Sequence, residues 1–240
     1  MNDTPYLRRI RSFVRREGRL TPGQQRAMEA LFPRFGIETG EQLLNLEAVF
    51  GRHAPRILEI GFGNGESLAE IAKNHPQNDY IGIEVHRPGV GQLLMRIEEM
   101  GLSNVRVMCG DAVDILEQQI PDESLDALYL FFPDPWHKKR HHKRRQVQPA
   151  WAQLVHRKLK TGGTLHMATD WQHYAEQMLD VLSNLEGFRN LSTSGDYVPK
   201  PDYRPETRFE RRGRGLGHGV WDLLFEKLPP KTSSESLLDL

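Results

Sequence analysis

The sequence predicts an α/β fold in which a doubly wound, mostly parallel seven-stranded sheet carries helices on both faces, with a mobile basic arm at its N-terminus. Between Arg56 and Leu228, short apolar runs alternate with longer amphipathic stretches, the pattern of parallel strands linked by crossover helices. A glycine-rich turn follows the first apolar run, as expected where a strand passes into a helix. A chain of 240 residues has room for one ordinary domain of this kind with a short extension.

The predicted elements follow one another as five strand–helix pairs and a final pair of strands. The five parallel strands are Arg56–Ile60, Tyr80–Val85, Val105–Cys109, Leu125–Phe132 and Thr164–Thr169. The helices that follow them are Gly65–Asn74, Pro88–Gly101, Ala112–Ile120, Val147–Lys160 and Tyr174–Leu185. After Glu186 the helical pattern ends, and Phe188–Leu191 and Val220–Leu228 are predicted strands. The proline- and arginine-rich loop between these two strands is long enough to suggest a function.

Three segments are expected. Residues 1–50 form a basic arm followed by one or two short helices within Thr21–Phe50, and residues 51–228 form the α/β domain. The first twenty residues carry few large apolar groups, which is why the arm is expected to be mobile. Residues 229–240 are rich in proline and then polar residues, which predicts a disordered tail.

The composition narrows the class of protein. No apolar run approaches the roughly 20 residues that span a bilayer, and the N-terminus lacks the apolar block of a secretory signal, so a cytoplasmic protein without membrane contact is expected. The single cysteine, Cys109, excludes an intrachain disulfide and is interpreted as a small buried side chain. The net charge of +0 offers no overall attraction to polyanions, but basic residues concentrate in Arg8–Arg19, His137–Arg145 and Arg204–Arg214.

Acidic residues stand where the predicted parallel strands end, which is where an open parallel sheet binds its ligand. Glu59 precedes the turn formed by Gly61, Phe62, Gly63, Asn64 and Gly65. A dinucleotide site is disfavoured because Glu66 occupies the place of its third glycine and Glu59 would repel a diphosphate. A cationic ligand without phosphate is favoured, and S-adenosylmethionine, with its sulfonium and ammonium groups, fits.

The next two strands supply further candidates for binding this cofactor. Glu84 ends the second strand and can accept hydrogen bonds from both ribose hydroxyls, and the sequence indicates no local structural role for it. Asp111 follows the third strand beside Ala112 and can accept from the adenine amino group. The alternative for Asp111 is an N-cap of the helix that begins at Ala112, and the two roles are compatible.

The fourth strand leads into Pro133, Asp134, Pro135 and Trp136, a stiff turn that can present the Asp134 carboxylate to a substrate. A basic run follows at once. Its members are interpreted as phosphate ligands, with Trp136 or a histidine available to stack on a base, although a solvated charged face is the alternative. A metal site is disfavoured because the interleaved lysines and arginines would repel a cation. The residues of this run that are expected to contact RNA are Arg140, His141, His142, Lys143, Arg144 and Arg145.

Two more carboxylates lie near aromatic residues. Asp170 ends the fifth strand before Trp171, and Glu210 ends the run Thr207, Arg208, Phe209 and Glu210. A carboxylate that accepts from N1–H and the exocyclic amine of guanine would select that base. The alternatives are an N-cap role for Asp170 and a plain surface charge for Glu210.

These motifs together resemble one family. The segments that carry the resemblance are E-I-G-F-G-N-G at Glu59–Gly65, I-G-I-E-V-H at Ile81–His86, F-F-P-D-P-W-H-K at Phe131–Lys138, A-T-D at Ala168–Asp170, T-R-F-E at Thr207–Glu210, and the late G-H-G-V-W-D. They resemble the bacterial tRNA (guanine-N7-)-methyltransferases, whose fold is the Rossmann-like class I methyltransferase fold. The resemblance runs from the basic arm to about Leu228.

The resemblance implies a role for each matching residue. Glu59, Gly61, Gly63, Glu84, Asp111 and Ala112 would bind S-adenosylmethionine, and Asp134 would be the catalytic residue. The residues that would contact the substrate are Lys138, Asp170, Thr207, Arg208, Phe209 and Glu210. The implied reaction is methylation of N7 of a guanine in the variable loop of tRNA, by a protein that needs no metal and is expected to be a monomer rather than a homodimer.

Two rival functions remain open at this point. A class I methyltransferase acting on an exocyclic amine would use the Pro133–Trp136 turn to assist an amine nucleophile. A non-catalytic RNA-binding module would account for the basic arm and basic run, but it leaves the acidic strand ends unexplained.

Overall fold

The sheet of the computed structural model, which describes residues 11–13, 18–207, 210 and 219–231, has eight strands in the order β1-β4-β3-β2-β5-β6-β8-β7. Strand β8 runs antiparallel to β6 and β7, and the other pairs are parallel. The strands are β1 Gly36–Ile37, β2 Arg56–Ile60, β3 Asp79–Glu84, β4 Val105–Cys109, β5 Leu125–Phe131, β6 Leu159–Thr169, β7 Phe188–Asn190 and β8 Trp221–Lys227. The predicted fold class is confirmed.

The helices also follow the predicted order. They are α1 Pro22–Phe35, α2 Leu46–Phe50, α3 Glu66–Asn74, α4 Arg87–Glu99, α5 Ala112–Gln118, α6 Pro149–Lys158 and α7 Gln172–Ser183, with a 3₁₀ helix at Lys139–Arg144. Helix α1 begins at a capping box in which the Thr21 hydroxyl accepts from the Gln24 N–H while the Gln24 side chain accepts from the Thr21 N–H. Within the described residues, no helix is long and apolar enough to cross a membrane.

Four predicted strands, those near β3, β5, β7 and β8, are displaced by one residue at one or both ends, and the larger differences from the prediction are at β1 and β6. Strand β1 raises the strand number from the predicted seven to eight, and its two residues are too few to show an alternating pattern. Strand β6 begins at Leu159 rather than Thr164, because Leu159 pairs with Leu125 ahead of an irregularity in the ladder. The predicted helix over Val147–Lys160 accordingly ends at Lys158.

The central strands are buried on both faces, as β2 illustrates with all five of its residues buried. Helices α1, α3 and α4 pack on one face of the sheet, and α5, α6 and α7 pack on the other. The order of the strands across the sheet reverses at β2. Strands β3 and β4 lie on one side of β2, and β5 and β6 lie on the other. This topological switch point opens a crevice at the carboxyl ends of β2 and β5.

Candidate functional site

Two adjoining cavities occupy this crevice. All six predicted cofactor residues line them, together with Asp134 and Thr207, whereas Lys138, Asp170, Glu210 and the basic run do not. A cavity of about 380 Å³ is lined by Glu84, Asp111, Ala112 and Asp134, among others. An open cleft of about 1240 Å³ beside it is lined by Glu59, by Gly63 of the glycine turn, by Phe132 after β5, and by Thr207. Thr207 belongs to the proline- and arginine-rich loop between β7 and β8, which is called the late loop below. Gly61 and Phe131 line both. The sheet therefore brings the predicted cofactor residues together.

Glu59 is the most unusual ionisable group of the crevice. It is 2% exposed, and its Oε2 atom has no hydrogen-bond partner among the described residues. Burial, together with the neighbouring carboxylate of Glu84, raises the pKa of Glu59 to about 8. A buried carboxyl oxygen without a partner, at the wall of a cleft, is suited to an incoming cation.

The glycine turn leaves room for a ligand. Gly61 and Gly63 have φ angles of 72° and 60°, and a Cβ atom at either position would meet no heavy atom within 4 Å. Gly65, by contrast, is a packing position, since a Cβ there would lie 2.6 Å from the Cβ of Leu93. Two glycines thus expose backbone to the crevice, and the third lets α4 approach the turn.

Glu84 has a local structural role that the sequence did not indicate. Its Oε2 accepts from the Gly63 N–H at 3.0 Å, and its Oε1 accepts from the N–H groups of Val85 and His86 at 2.7 Å and 2.9 Å. The carboxylate therefore pins the glycine turn to the end of β3. The expectation of no structural role for Glu84 is wrong, because three backbone N–H groups converge on it.

Asp111 has the capping role that the sequence left open as an alternative. Its Oδ1 accepts from the Val113 N–H at 3.0 Å and caps α5. The side chain lines the smaller cavity as well, next to buried Ala112. Capping thus fixes the position of a carboxylate that still faces the crevice.

The turn after β5 is strained and rigid. Phe132 and Trp136 have φ angles of 51° and 46°, a left-handed region that aromatic residues rarely adopt. Asp134 is exposed between them, and its Oδ1 accepts from the Trp136 N–H at 3.1 Å. The Trp136 indole N–H donates to the Ser12 carbonyl at 2.9 Å, so this part of the arm contacts the turn. The rest of the predicted mobile arm, residues 1–10 and 14–17, lies outside the described residues.

The basic run folds into the short 3₁₀ helix, and its side chains do not all point to solvent. Lys138, Arg140 and Lys143 are exposed, and Arg144 lies over the Trp136 ring with its Cζ 4.5 Å from the ring centroid. Partial desolvation and the neighbouring positive charges lower the pKa of both His141 and His142. Lys139 is exposed as well, so these placements leave five cationic side chains on or near the surface beside the turn.

Arg145 does not fit its expected contact with RNA phosphate. It is 2% exposed, its Nε donates to the Pro135 carbonyl at 2.8 Å, and its Nη1 donates to Gln177 Oε1 at 2.6 Å. Sequence spacing did not indicate this burial, because two of the side chain's interior partners, His173 and Gln177, lie on α7, far along the chain.

Asp170 is exposed at the end of β6, and its carboxylate has no hydrogen bond within the described part of the chain. The N-cap of α7 is Trp171, whose N–H is held by Thr169 Oγ1 at 3.2 Å. The alternative of an N-cap role for Asp170 is therefore wrong. Trp171 itself is 37% exposed and meets the His137 ring edge-on, with centroids 4.3 Å apart.

Glu210 is neither a surface charge nor part of the cleft wall. Its side chain is fully buried, with Oε1 accepting from Arg204 Nη2 at 2.8 Å and Oε2 accepting from the Thr207 N–H at 2.8 Å. Thr207 Oγ1 in turn accepts from the Glu210 N–H at 3.2 Å. Glu210 thus holds Thr207, which does line the cleft. The expected contacts of Arg208 and Phe209 lie outside the described residues.

A buried network behind Thr207 was missed by sequence reasoning. Arg204 binds Asp222 with two hydrogen bonds, Nε to Oδ1 at 2.7 Å and Nη2 to Oδ2 at 2.8 Å. His166 lies between Asp222 Oδ1 at 2.8 Å and the Tyr203 hydroxyl at 2.7 Å. Burial alone would raise the pKa of Asp222, but the hydrogen bonds from His166 and Arg204 outweigh it and the pKa is lowered. The sequence contains one indication of this network, which is that His166 stands in the middle of an otherwise apolar strand.

The chain is similar to known methyltransferases. The model of the methyltransferase family Methyltransf_4 matches residues 53–223. A tRNA (guanine-N(7)-)-methyltransferase of Alcanivorax borkumensis is 63% identical over 221 residues, 92% of each chain. One from Escherichia coli (strain K12) is 60% identical over 222 residues, 92% of this chain and 93% of that protein. The 16S rRNA methyltransferase KamB shares the fold, with a TM-score of 0.58 and 13% identity over 78% of this chain and 95% of its own.

Proposed function

The chain belongs to the tRNA (guanine-N(7)-)-methyltransferase family, and on that premise we propose that it transfers a methyl group from S-adenosylmethionine to N7 of a guanine in the variable loop of tRNA. The observation that carries the proposal is the acidic crevice, in which Glu59, with a carboxyl oxygen that has no partner among the described residues, lines the cleft that adjoins the cavity lined by Asp134. The proposed enzyme acts in the cytoplasm as a monomer, and the second point is testable by sedimentation.

The residues of the crevice fit S-adenosylmethionine, which supplies an electrophilic methyl carbon. Glu59 Oε2, which none of the described residues contacts by a hydrogen bond, would accept from its ammonium group, and the space at Gly61 and Gly63 would admit its methionine part. Glu84 and Asp111 line the smaller cavity, where they would hold a ribose hydroxyl and the adenine amino group. Glu84 already accepts three backbone hydrogen bonds, and a carboxylate has about four acceptor sites. It can therefore accept from one ribose hydroxyl, rather than from both as the sequence suggested.

The reaction itself asks the protein for position and charge rather than for a base. N7 of guanine has an available lone pair and loses no proton when it is methylated, so the displacement needs no proton acceptor. Holding N7 in line with the methyl group can lower the activation barrier by several kcal/mol. Guanine becomes cationic in the process, and a fixed negative charge at Asp134 favours that change.

Recognition of the guanine is assigned to the exposed end of β6 and to the late loop. The exposed carboxylate of Asp170, which has no hydrogen bond to any residue that the structure describes, would accept from the N1–H and exocyclic amine of the base, and Thr207 forms part of the cleft. We assign the tRNA phosphates to the surface cations Lys138, Arg140, Lys143 and Arg144. Glu210 supports Thr207 from behind.

The direct test is methylation of bulk tRNA with labelled S-adenosylmethionine, followed by analysis of the nucleosides. We expect label in N7-methylguanosine, and strand cleavage at that site after borohydride and aniline treatment. Label on an exocyclic amine would favour the rival methyltransferase, and the absence of both transfer and cofactor binding would favour a simple RNA-binding module.

Cofactor binding is expected to release a proton from Glu59. Because the pKa of Glu59 is raised to about 8, the free protein holds this carboxyl protonated at pH 7, whereas pairing with an ammonium group requires the ionised form. Linkage then makes binding about tenfold tighter at pH 7 than at pH 6, with release of about one proton. Calorimetry in buffers of different ionisation enthalpy measures the released proton.

The matched variants for this measurement are Glu59→Gln and Glu70→Gln. The first should abolish proton release and flatten the pH dependence, since the glutamine cannot ionise. The second removes an exposed carboxylate from the same cleft and should leave proton release unchanged. Equal proton release by wild type and Glu59→Gln would contradict the assignment.

A further inference from the structure

Arg145 is one of the largest fully buried side chains of the described structure, although it ends a basic run on the surface. No ion pair links it to a carboxylate among the described residues. Burying a guanidinium without a carboxylate partner costs free energy, so the hydrogen bonds to its neutral partners must offset that cost. These partners come from three separate elements around the site.

The first element is the Pro133–Trp136 turn, whose Pro135 carbonyl accepts from Arg145 Nε at 2.8 Å. The second is the 3₁₀ helix, where His142 Nε2 lies 3.2 Å from Nη2. The third is α7, where Nη1 contacts Gln177 Oε1 at 2.6 Å and His173 Nδ1 at 3.4 Å. A planar guanidinium has donors in fixed directions and can hold three such groups in one arrangement.

The turn needs this outside support. Neither Pro133 nor Pro135 has a backbone N–H, so the turn has few hydrogen bonds of its own. Phe132 and Trp136 hold left-handed φ angles of 51° and 46°, which persist only where the surroundings fix them. Arg145 supplies one such contact from outside the turn, because its Nε–H donates a hydrogen bond to the Pro135 carbonyl.

Helix α7 is well placed to serve as the anchor. The Tyr174 ring lies under the guanidinium at 4.8 Å, and its hydroxyl accepts from the Val147 N–H at 3.1 Å. Gln177 Nε2 donates to the Val147 carbonyl at 3.1 Å. The helix begins two residues after Asp170, so one guanidinium connects the turn that carries Asp134 with the strand end that carries Asp170.

We infer that Arg145 is a positioning residue, which holds the Pro133–Trp136 turn against α7 and thereby sets Asp134 relative to the guanine side of the site, rather than a ligand of RNA phosphate. The inference rests on the proposed methylation of guanine N7. In this role the planar shape of the Arg145 side chain determines kcat, and its charge does not contribute to tRNA binding.

Two substitutions at Arg145 separate the two roles. Arg145→Lys keeps the charge but loses the planar fork, so kcat should fall about 10–100-fold, as expected when a reacting group is misplaced by a fraction of an ångström to 1 Å. Arg145→Met removes the charge and should leave the salt dependence of tRNA binding unchanged. A phosphate ligand would behave in the opposite way, with near-normal kcat in Arg145→Lys and a log–log salt slope flatter by about one in Arg145→Met.

Lys143→Ala is the matched control, because Lys143 is an exposed cation of the same run. Lys143→Ala should flatten the log–log salt dependence of tRNA binding by about one, and it should raise KM rather than lower kcat. Affinity for S-adenosylmethionine and the thermal midpoint, measured for every variant, report whether the fold is intact.

Gln177→Ala provides a second route if the Arg145 variants fail to fold. It removes one of the contacts that hold the guanidinium and should lower kcat without changing the salt slope. In the double variant with Arg145→Lys, the fold decrease in kcat should be smaller than the product of the two separate decreases, because both substitutions act through one contact. Additive effects, or a normal kcat in Gln177→Ala, would overturn the inference. A wild-type protein that does not methylate guanine N7 would instead overturn the proposed function.

Discussion

Replacement of Asp134 with asparagine is expected to lower kcat by roughly 10²–10³-fold, the range for loss of one preorganised electrostatic group. The asparagine side chain retains an oxygen that can accept from the Trp136 N–H, now 3.1 Å from Asp134 Oδ1, so the turn should keep its shape. Only the negative charge beside the guanine is lost. Affinities for S-adenosylmethionine and tRNA should change little, and single-turnover kinetics measures the effect on the methyl transfer itself.

Two companion variants make this result interpretable. Asp134→Ala removes the charge and the acceptor together, and a larger loss than in Asp134→Asn would measure what the turn hydrogen bond contributes. Glu99→Gln makes the same change of charge on an exposed residue at the far end of α4 and should leave kcat unchanged. Full activity in Asp134→Asn would remove the carboxylate from catalysis and leave the backbone of the turn as the positioning element.

Replacement of Arg204 with methionine is expected to destabilise the protein by about 3–5 kcal/mol, since it leaves two buried carboxylates without their cation. Asp222 and Glu210 both accept hydrogen bonds from Arg204, and the side chains of Arg204 and Glu210 are fully buried. For a chain of this size the midpoint of thermal unfolding should fall by about 6–20 °C. Urea unfolding followed by circular dichroism gives the change in free energy.

Arg189→Met is the matched control for that measurement. Arg189 pairs with Glu226 on the surface, where its side chain is 60% exposed, and exposed pairs contribute about 0–1 kcal/mol. If Arg204→Met costs no more than Arg189→Met, the buried network does not stabilise the late loop. Loss of the network should also release Thr207 from the cleft wall, because Glu210 holds it.

The sequence alone determined the order of the strands and helices and the acidic edge of the sheet. Hydrophobic periodicity is a local property, so it located β2 at Arg56–Ile60 and β4 at Val105–Cys109 without error. The carboxyl ends of parallel strands meet at one edge, and the residues that follow them must therefore converge. This is why the positions of Glu59 and Asp111 along the chain suffice to assign both residues to one crevice.

Only the tertiary structure decided which charged side chains lie at the surface and which are buried among internal partners. Arg144 and Arg145 are neighbours of the same type, yet one lies over Trp136 and the other is buried against α7. Glu210 is held by Arg204, whose other partner, Asp222, lies 18 residues further along the chain. Composition and spacing carry no record of such distant partners, because the direction of a polar side chain is set by the elements that pack around it.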